Sequence, residues 1–277
     1  MASRIAAAYH AGGMNTSFDL DGDLALAFRL ADAARAISLA RFRGDFERRT
    51  KADGTIVTEV DEAVEDELRR MLALERPGDA MLGEERGSTP GTGNRRWIID
   101  AIDGTHSFAE GRVHWGTLIS LEIAGRIALG VCDYPPVDRR YWAVRGRGAF
   151  RADAGAQPVR LRVSATDELK HARSFVPRAH WVRTDDARAM YSAFSSATSP
   201  ATAEDHPALQ VAFGGFDVAV FFMVEPWDIA APSIVVEEAG GKFSDLTGAA
   251  SLTGGAVFSN GRLHDATVRL LRDARRR

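Results

Sequence analysis

The chain of 277 residues carries a single cysteine, Cys132. No internal disulfide can form, and the absence of CxxC or Cys/His spacing excludes a structural zinc site. This usage fits a reducing compartment, and a cytoplasmic location is the expectation. No apolar run approaches the roughly 20 residues of a bilayer-spanning helix, so no membrane partner is expected. An excess of one charge is missing too: 35 Lys and Arg face 38 Asp and Glu, a formal net charge of −3. Such a balance offers no basic face to nucleic acid. Internal repeats, low-complexity tracts and a Pro/Ser-rich linker are also lacking. Near the start, His10, Gly12 and Gly13 interrupt a short Ala run before a signal-peptide core forms, so residues 1–17 read as a flexible tail.

What is present is ordinary globular material, with 45% hydrophobic residues. Helical periodicity covers 19–43 and 59–74, the latter with Val60, Val64 and Leu68 on one face. Strand-like runs follow at 80–85, 96–102, 115–123, 126–134 and 139–144, and again at 159–164. Between them "STPGTGN" reads as a polar loop. Further on, helices are expected near 184–196, 206–213, 228–239 and 261–275, with strands at 217–224 and 256–260. Helices and strands alternate in blocks, which points to an α/β or α+β fold. The best seam between two halves is "RADAGAQP", 151–158.

Four short acidic pieces stand beside apolar or Gly-rich stretches: "TEVD" with Asp61, "GEE" with Glu84 and Glu85, "DAID" with Asp100 and Asp103, and "EPWDIAA" with Asp228. Buried carboxylates are costly unless they are paired or bind metal, and no matching run of Lys or Arg lies beside these. A hard divalent cation such as Mg²⁺, which takes oxygen ligands, explains the clustering. Asp100 and Asp103 are three apart, so a regular strand would point them to opposite faces. A turn at about Ile102–Gly104 is therefore expected to bring them together, with Gly104 admitting a close backbone approach. The N–H groups of Gly104, Thr105 and His106 form a candidate anion nest for phosphate. Asp228 is expected at the N-cap or first turn of its helix, which Gly240 and Gly241 end.

Taken together, "GEE", "WIIDAIDGTHSF" and "WDIAAPSIVVEEAGG" resemble the inositol monophosphatase family of Mg²⁺-dependent, lithium-sensitive phosphatases, in order and spacing across about residues 20–272. "YWAVRGRGAF" and "SNGRLHD" look most like its histidinol-phosphate phosphatase branch. The resemblance implies a layered α-β-α-β-α sandwich of the inositol monophosphatase / fructose-1,6-bisphosphatase type. It implies one phosphatase domain over 18–277, with an N-terminal metal-binding half (18–155) and a C-terminal half (156–277) that supplies Asp228 and substrate contacts. A homodimer is also implied. Two or three Mg²⁺ would be held by Glu84, Asp100, the Ile102 carbonyl, Asp103 and Asp228. Asp61 and Thr105 would orient and deprotonate the attacking water, and Lys51 matches a family lysine near metals and phosphate. Backbone N–H groups of Gly104 and Thr105 would hold the phosphate.

The chain departs from the family pattern at three places. Ala101 replaces the usual proline of the DPIDGT motif, and His106 stands where Lys, Arg or Thr is usual. Phe221, six positions before Trp227, replaces a glutamate that commonly meets the substrate. Glu204 and Asp205 are therefore the candidate substrate contacts, together with the wall at Phe221. The expected activity is hydrolysis of a small phosphomonoester, histidinol phosphate first. An inositol, cyclitol, sugar or nucleoside phosphate is the alternative, and a pseudo-phosphatase binding module is the non-enzyme alternative.

Overall fold

The computed structural model describes residues 19–52, 54–177, 182–203 and 205–276. The expected tail at 1–17 and the candidate Glu204 lie outside the described residues. The chain divides into two compact units, one of residues 1–140 with 151–159 and the other of 141–150 with 160–277.

The first unit opens with helix α1 (Leu20–Arg41), whose N-cap Asp19 accepts a hydrogen bond from the Gly22 N–H at 2.9 Å. Of its Leu and Ala side chains, Leu26, Ala27, Leu30, Ala31 and Ala34 are fully buried. A short antiparallel pair, β1 (Arg48–Thr50) and β2 (Ile56–Thr58), leads into helix α2 (Glu59–Glu75). Thr58 caps α2 and forms a reciprocal capping box with Asp61. Strands β3 (Ala80–Gly83), β4 (Gly87–Thr89), β5 (Arg95–Asp103), β6 (Gly116–Ile123) and β7 (Arg126–Tyr134) build a mixed sheet in the order β4-β3-β5-β6-β7. Strand β3 runs parallel to β5, and the other neighbours are antiparallel. Helices α1 and α2 pack on each other and on this sheet. The Trp97 ring is buried in β5, and its indole N–H donates to Asp79 Oδ2 at 2.9 Å.

Two local differences from the sequence expectation matter for the site. The strand expected over 80–85 ends at Gly83, and Glu84, Glu85 and Arg86 form the turn of the β3–β4 hairpin. Ser88 and Thr89, expected in a polar loop, belong to β4. A single-turn helix, α3 (Thr105–Ala109), follows β5 directly. Its Phe108 is fully buried against Trp115, Phe46 and Phe42, with ring centroids 4.9, 5.2 and 5.7 Å away. Each aromatic pair of this kind adds about 0.5–1.5 kcal/mol beyond its buried area, so the cluster anchors a helix too short to stand alone.

The chain crosses into the second unit along the hairpin of β8 (Arg139–Val144) and β9 (Gly148–Asp153). At its tip the amides of Gly146 and Gly148 donate to the Glu238 carboxylate at 2.9 and 2.8 Å. The expected strand at 159–164 shrinks to β10 (Val159–Arg160). Strands β11 (Arg173–Phe175), β12 (Ser199–Pro200), β13 (Val218–Phe221), β14 (Lys242–Ser244) and β15 (Ala256–Ser259) form a second mixed sheet, in the order β12-β11-β13-β15-β14. Helices α4 (Asp185–Ala197), α5 (Pro207–Ala212), α6 (Pro226–Glu238) and α7 (His264–Arg275) complete this unit. Phe194, Val218, Val220, Val257 and Leu271 lie in its buried core.

Candidate active site

Asp61 sits at the third position of α2, where the capping box fixes its carboxylate. One oxygen accepts from the backbone N–H of Thr58 at 2.9 Å and from the Thr58 hydroxyl. The other accepts from the Thr105 hydroxyl at 2.8 Å, and the same hydroxyl lies 3.0 Å from the Ile102 carbonyl. A hydroxyl has one proton, so Thr105 donates to one of these oxygens at a time. Asp61 is buried, and desolvation raises its pKa against the opposing hydrogen bonds from Thr58 and Thr105. A carboxylate so placed is a better proton acceptor than an exposed one.

The β3–β4 turn brings Glu84 and Glu85 to Lys51, whose Nζ donates to both carboxylates at 2.8 Å. Burial opposes the ammonium charge, but the two carboxylates outweigh it and hold the Lys51 pKa up. Burial pushes the Glu85 pKa up to about 7; the Lys51 hydrogen bond opposes this, while the charges of Glu84 and Asp61 add to it. One lysine therefore does not neutralise the acidity gathered here. Because β3 pairs in parallel with β5, with Gly83 beside Ile99, Glu84 leaves its strand next to the position where Asp100 follows in β5.

Asp100 and Asp103 share a face, but not for the reason expected. Asp100 stands opposite Leu118, and Asp103 opposite Gly116. Directly opposed residues share a face, and Leu118 and Gly116, two apart, lie on the same side of β6. Strand β5 thus spends one extra residue between the two aspartates, a β-bulge that shifts the side-chain alternation. The left-handed turn comes only afterwards, at Gly104 with φ 83°. A Cβ on Gly104 would lie 2.7 Å from the His114 carbonyl oxygen, so glycine is required there by its neighbour as well as by its conformation. Gly104 opens α3, and the first N–H groups of a helix have no partner within it.

The remaining expected residues are placed as follows. His106 is largely exposed and pairs with Glu110 at 3.1 Å. In the second unit Asp228 is the third residue of α6, and its Oδ2 accepts from the Glu225 N–H at 2.8 Å. Asp205 accepts from the Tyr141 hydroxyl at 2.8 Å. Phe221 ends β13, with the rings of Phe175, His206 and Phe258 at 5.4, 5.5 and 5.8 Å. Among the described residues, no group of three or more His, Cys, Asp or Glu is already drawn together around a metal position. The donor chemistry nonetheless fits a hard divalent cation: Glu84, Glu85, Asp100 and Asp103 offer only oxygen, and their charge exceeds what Lys51 supplies.

Three contributors are not evident in the sequence reading. Thr58 is one, although the T-x-x-D spacing of a capping box signals it. Glu65 is fully buried, and its carboxylate accepts from the backbone of the 84–86 turn. Its only sequence signal is the four-residue step from Asp61, which puts both on one side of α2. His206 is the third. Its Nδ1 accepts from the Ala208 N–H at 3.2 Å, and its ring also bonds to the backbone of Asp228. Pro232, four residues after Asp228, lacks the N–H that would bond the Asp228 carbonyl within α6, so His206 takes the place of that helical donor.

Solved structures define the class first. The inositol monophosphatase from Zymomonas mobilis superposes with a TM-score of 0.78 at 26% identity, covering 92% of this chain and 99% of that one. The fold is the α/β sandwich of these enzymes. The sequence pattern of the inositol monophosphatase family matches residues 19–276. Among curated relatives, the histidinol-phosphatase of Mycobacterium tuberculosis is 42% identical over 250 residues, 89% of this chain and 96% of that protein. That of Streptomyces coelicolor is 38% identical, over 88% and 94%. The chain belongs to the inositol monophosphatase family and is a phosphoric monoester hydrolase.

Proposed function

We propose that this enzyme hydrolyses histidinol phosphate, using Mg²⁺ and a water deprotonated by the Thr105–Asp61 pair. The observation that carries the proposal is the chain Ile102 carbonyl–Thr105 hydroxyl–Asp61 carboxylate, set beside the Glu84–Glu85 turn and following the bulge of Asp100 and Asp103. Family members generally depend on Mg²⁺, and the histidinol-phosphatase relatives support the choice of substrate. Glu84, Asp100, the Ile102 carbonyl, Asp103 and Asp228 are assigned as the residues that hold the cation. When bound, it would polarise the phosphate and lower the pKa of water.

The protein's own groups do the rest. The Thr105 hydroxyl accepts from the water while it donates to Asp61, which fixes the water's orientation. Asp61, raised in pKa by burial, takes the proton through Thr105. The N–H groups of Gly104 and Thr105, at the start of α3, are assigned to hold the phosphate, together with the exposed His106. Lys51 balances Glu84 and Glu85 and stays cationic at neutral pH. For the leaving alcohol, Asp205 offers an acceptor for a cationic or N–H group, and Phe221 offers an apolar ring. An apolar wall leaves the hydroxyls of a cyclitol unpaired, which favours the heterocyclic alcohol. Glu204 completes the assigned substrate contacts, and lithium sensitivity, a homodimer and a cytoplasmic location belong to the same proposal.

A screen of phosphate release with Mg²⁺ over histidinol phosphate, inositol 1-phosphate, sugar phosphates and nucleotides tests the substrate. Histidinol phosphate should show the highest kcat/KM. A better inositol phosphate would overturn the substrate assignment while leaving the chemistry intact.

A further inference from the structure

We infer that Glu65 is a positioning residue that sets the Glu84–Glu85 turn, and that Gly83 is glycine to make room for it. The inference rests on the phosphatase reading above, in which Glu84 holds the cation. Glu65 lies one helical turn beyond Asp61 in α2 and is 0% exposed. A carboxylate this buried must have every partner in place. It has three: the backbone N–H of Glu85 at 2.7 Å, the backbone N–H of Arg86 at 3.0 Å, and the Arg69 Nε–H at 2.8 Å. The first two are the amides of the hairpin turn itself. The carboxylate thus holds the backbone immediately after Glu84, as a bound anion would hold it.

Gly83 completes the arrangement. Its φ is not in the left-handed region, so its backbone does not call for glycine. A Cβ built there would lie 2.3 Å from Glu65 Oε1 and 2.5 Å from its carboxyl carbon. The clash is with the end of one side chain, so a methyl at position 83 would displace the Glu65 carboxylate rather than the strand. Arg69 locks the opposite side: its guanidinium also reaches the Gly87 carbonyl and, at 2.7 Å, the Thr89 hydroxyl, both on β4. Helix α2 therefore delivers two carboxylates one turn apart, Asp61 to Thr105 and Glu65 to the turn that carries Glu84. Glu65 itself touches neither water nor phosphate in the proposed reaction.

The test is Mg²⁺ binding by isothermal titration calorimetry on the whole chain, with thermal unfolding measured in parallel. Glu65→Gln keeps the shape but replaces one acceptor oxygen with a donor facing a backbone N–H. Gly83→Ala keeps Glu65 and only moves it. Removing an outer-shell partner of a metal ligand typically costs 10–100-fold in affinity, so each variant should raise the Mg²⁺ Kd by about tenfold or more. The double variant should bind within about twofold of the weaker single one, because both changes act on one contact. A purely structural role would lower Tm in both variants and leave the Mg²⁺ Kd where it is, and that result overturns the inference. If Glu65→Gln does not fold, Gly83→Ala decides alone. If the wild-type chain binds no Mg²⁺, the assignment of Glu84 to a cation fails first and the inference falls with it.

Discussion

Replacing Asp61 by Asn separates the two duties of that residue. In the folded chain one Asp61 oxygen serves Thr58 and the other serves Thr105. Asn can keep the first set with its carbonyl oxygen. Its NH₂ can then donate to the Thr105 hydroxyl, which turns its own proton onto the Ile102 carbonyl 3.0 Å away. Residue 61 keeps three hydrogen bonds, and the Thr105 hydroxyl keeps an acceptor. Charge-assisted bonds worth about 1.5–3 kcal/mol become neutral ones worth about 0.5–1.5. Against this loss, a buried charge whose desolvation already raises its pKa is removed. The two effects oppose each other, so stability should change by no more than about 1 kcal/mol, a Tm change of roughly 2–4 °C. The proton acceptor, however, is gone. Loss of a general base lowers the rate by about 10²–10⁴-fold, so kcat for phosphate release should fall at least a hundredfold, about 2.7 kcal/mol of barrier. Steady-state kinetics and differential scanning fluorimetry on the same preparation read both quantities. An Asp61→Asn enzyme with kcat within threefold of wild type and an unchanged Tm would show that Asp61 only caps α2.

Other consequences are independent of that one. Gly104→Ala must place a methyl 2.7 Å from the His114 oxygen at φ 83°. The conformational cost of about 1–2 kcal/mol and overpacking of about 1–3 kcal/mol should lower Tm by several degrees, and an unchanged Tm would contradict the geometry. His206→Phe keeps a ring against Phe221 but removes the donor to the Asp228 backbone, and should destabilise by about 1–3 kcal/mol in urea unfolding. Burial holds His206 and His264 down at about 4, below the ordinary 6.5. Below pH 6.5 the unfolded chain takes up these protons while the folded chain does not, so stability is full above that pH and falls as pH drops toward 4. For His206 the gap amounts to roughly 3 kcal/mol. Urea midpoints that stay flat between pH 7 and 4.5 would refute this.

Helices α1 and α2 are legible because their apolar residues recur at helical spacing. The acidic motifs are legible because they match a family pattern. The bulge between Asp100 and Asp103 is not, since an extra residue in a strand leaves no local compositional trace and shows only in the register against β6. Helix α3 escapes notice because five residues hold too few turns for periodicity; its stability comes from Phe108 among distant rings. Glu65 reads as one more polar residue on an amphipathic helix, and only the fold reveals that its side of α2 meets the turn after Gly83. Pro232 lies well inside α6, and what it does for the Asp228 carbonyl depends on His206, 26 positions away in a different helix cap.

The carboxylates around the bulge are assigned to Mg²⁺-dependent hydrolysis of a phosphomonoester. Phosphate release from histidinol phosphate by the wild-type chain and by Asp100→Asn, before and after removal of Mg²⁺ with EDTA, is the decisive measurement. EDTA should abolish release and added Mg²⁺ restore it, and Asp100→Asn should lower it by about a hundredfold or more. Turnover that persists without a divalent cation, or an Asp100→Asn enzyme as active as wild type, would contradict that assignment.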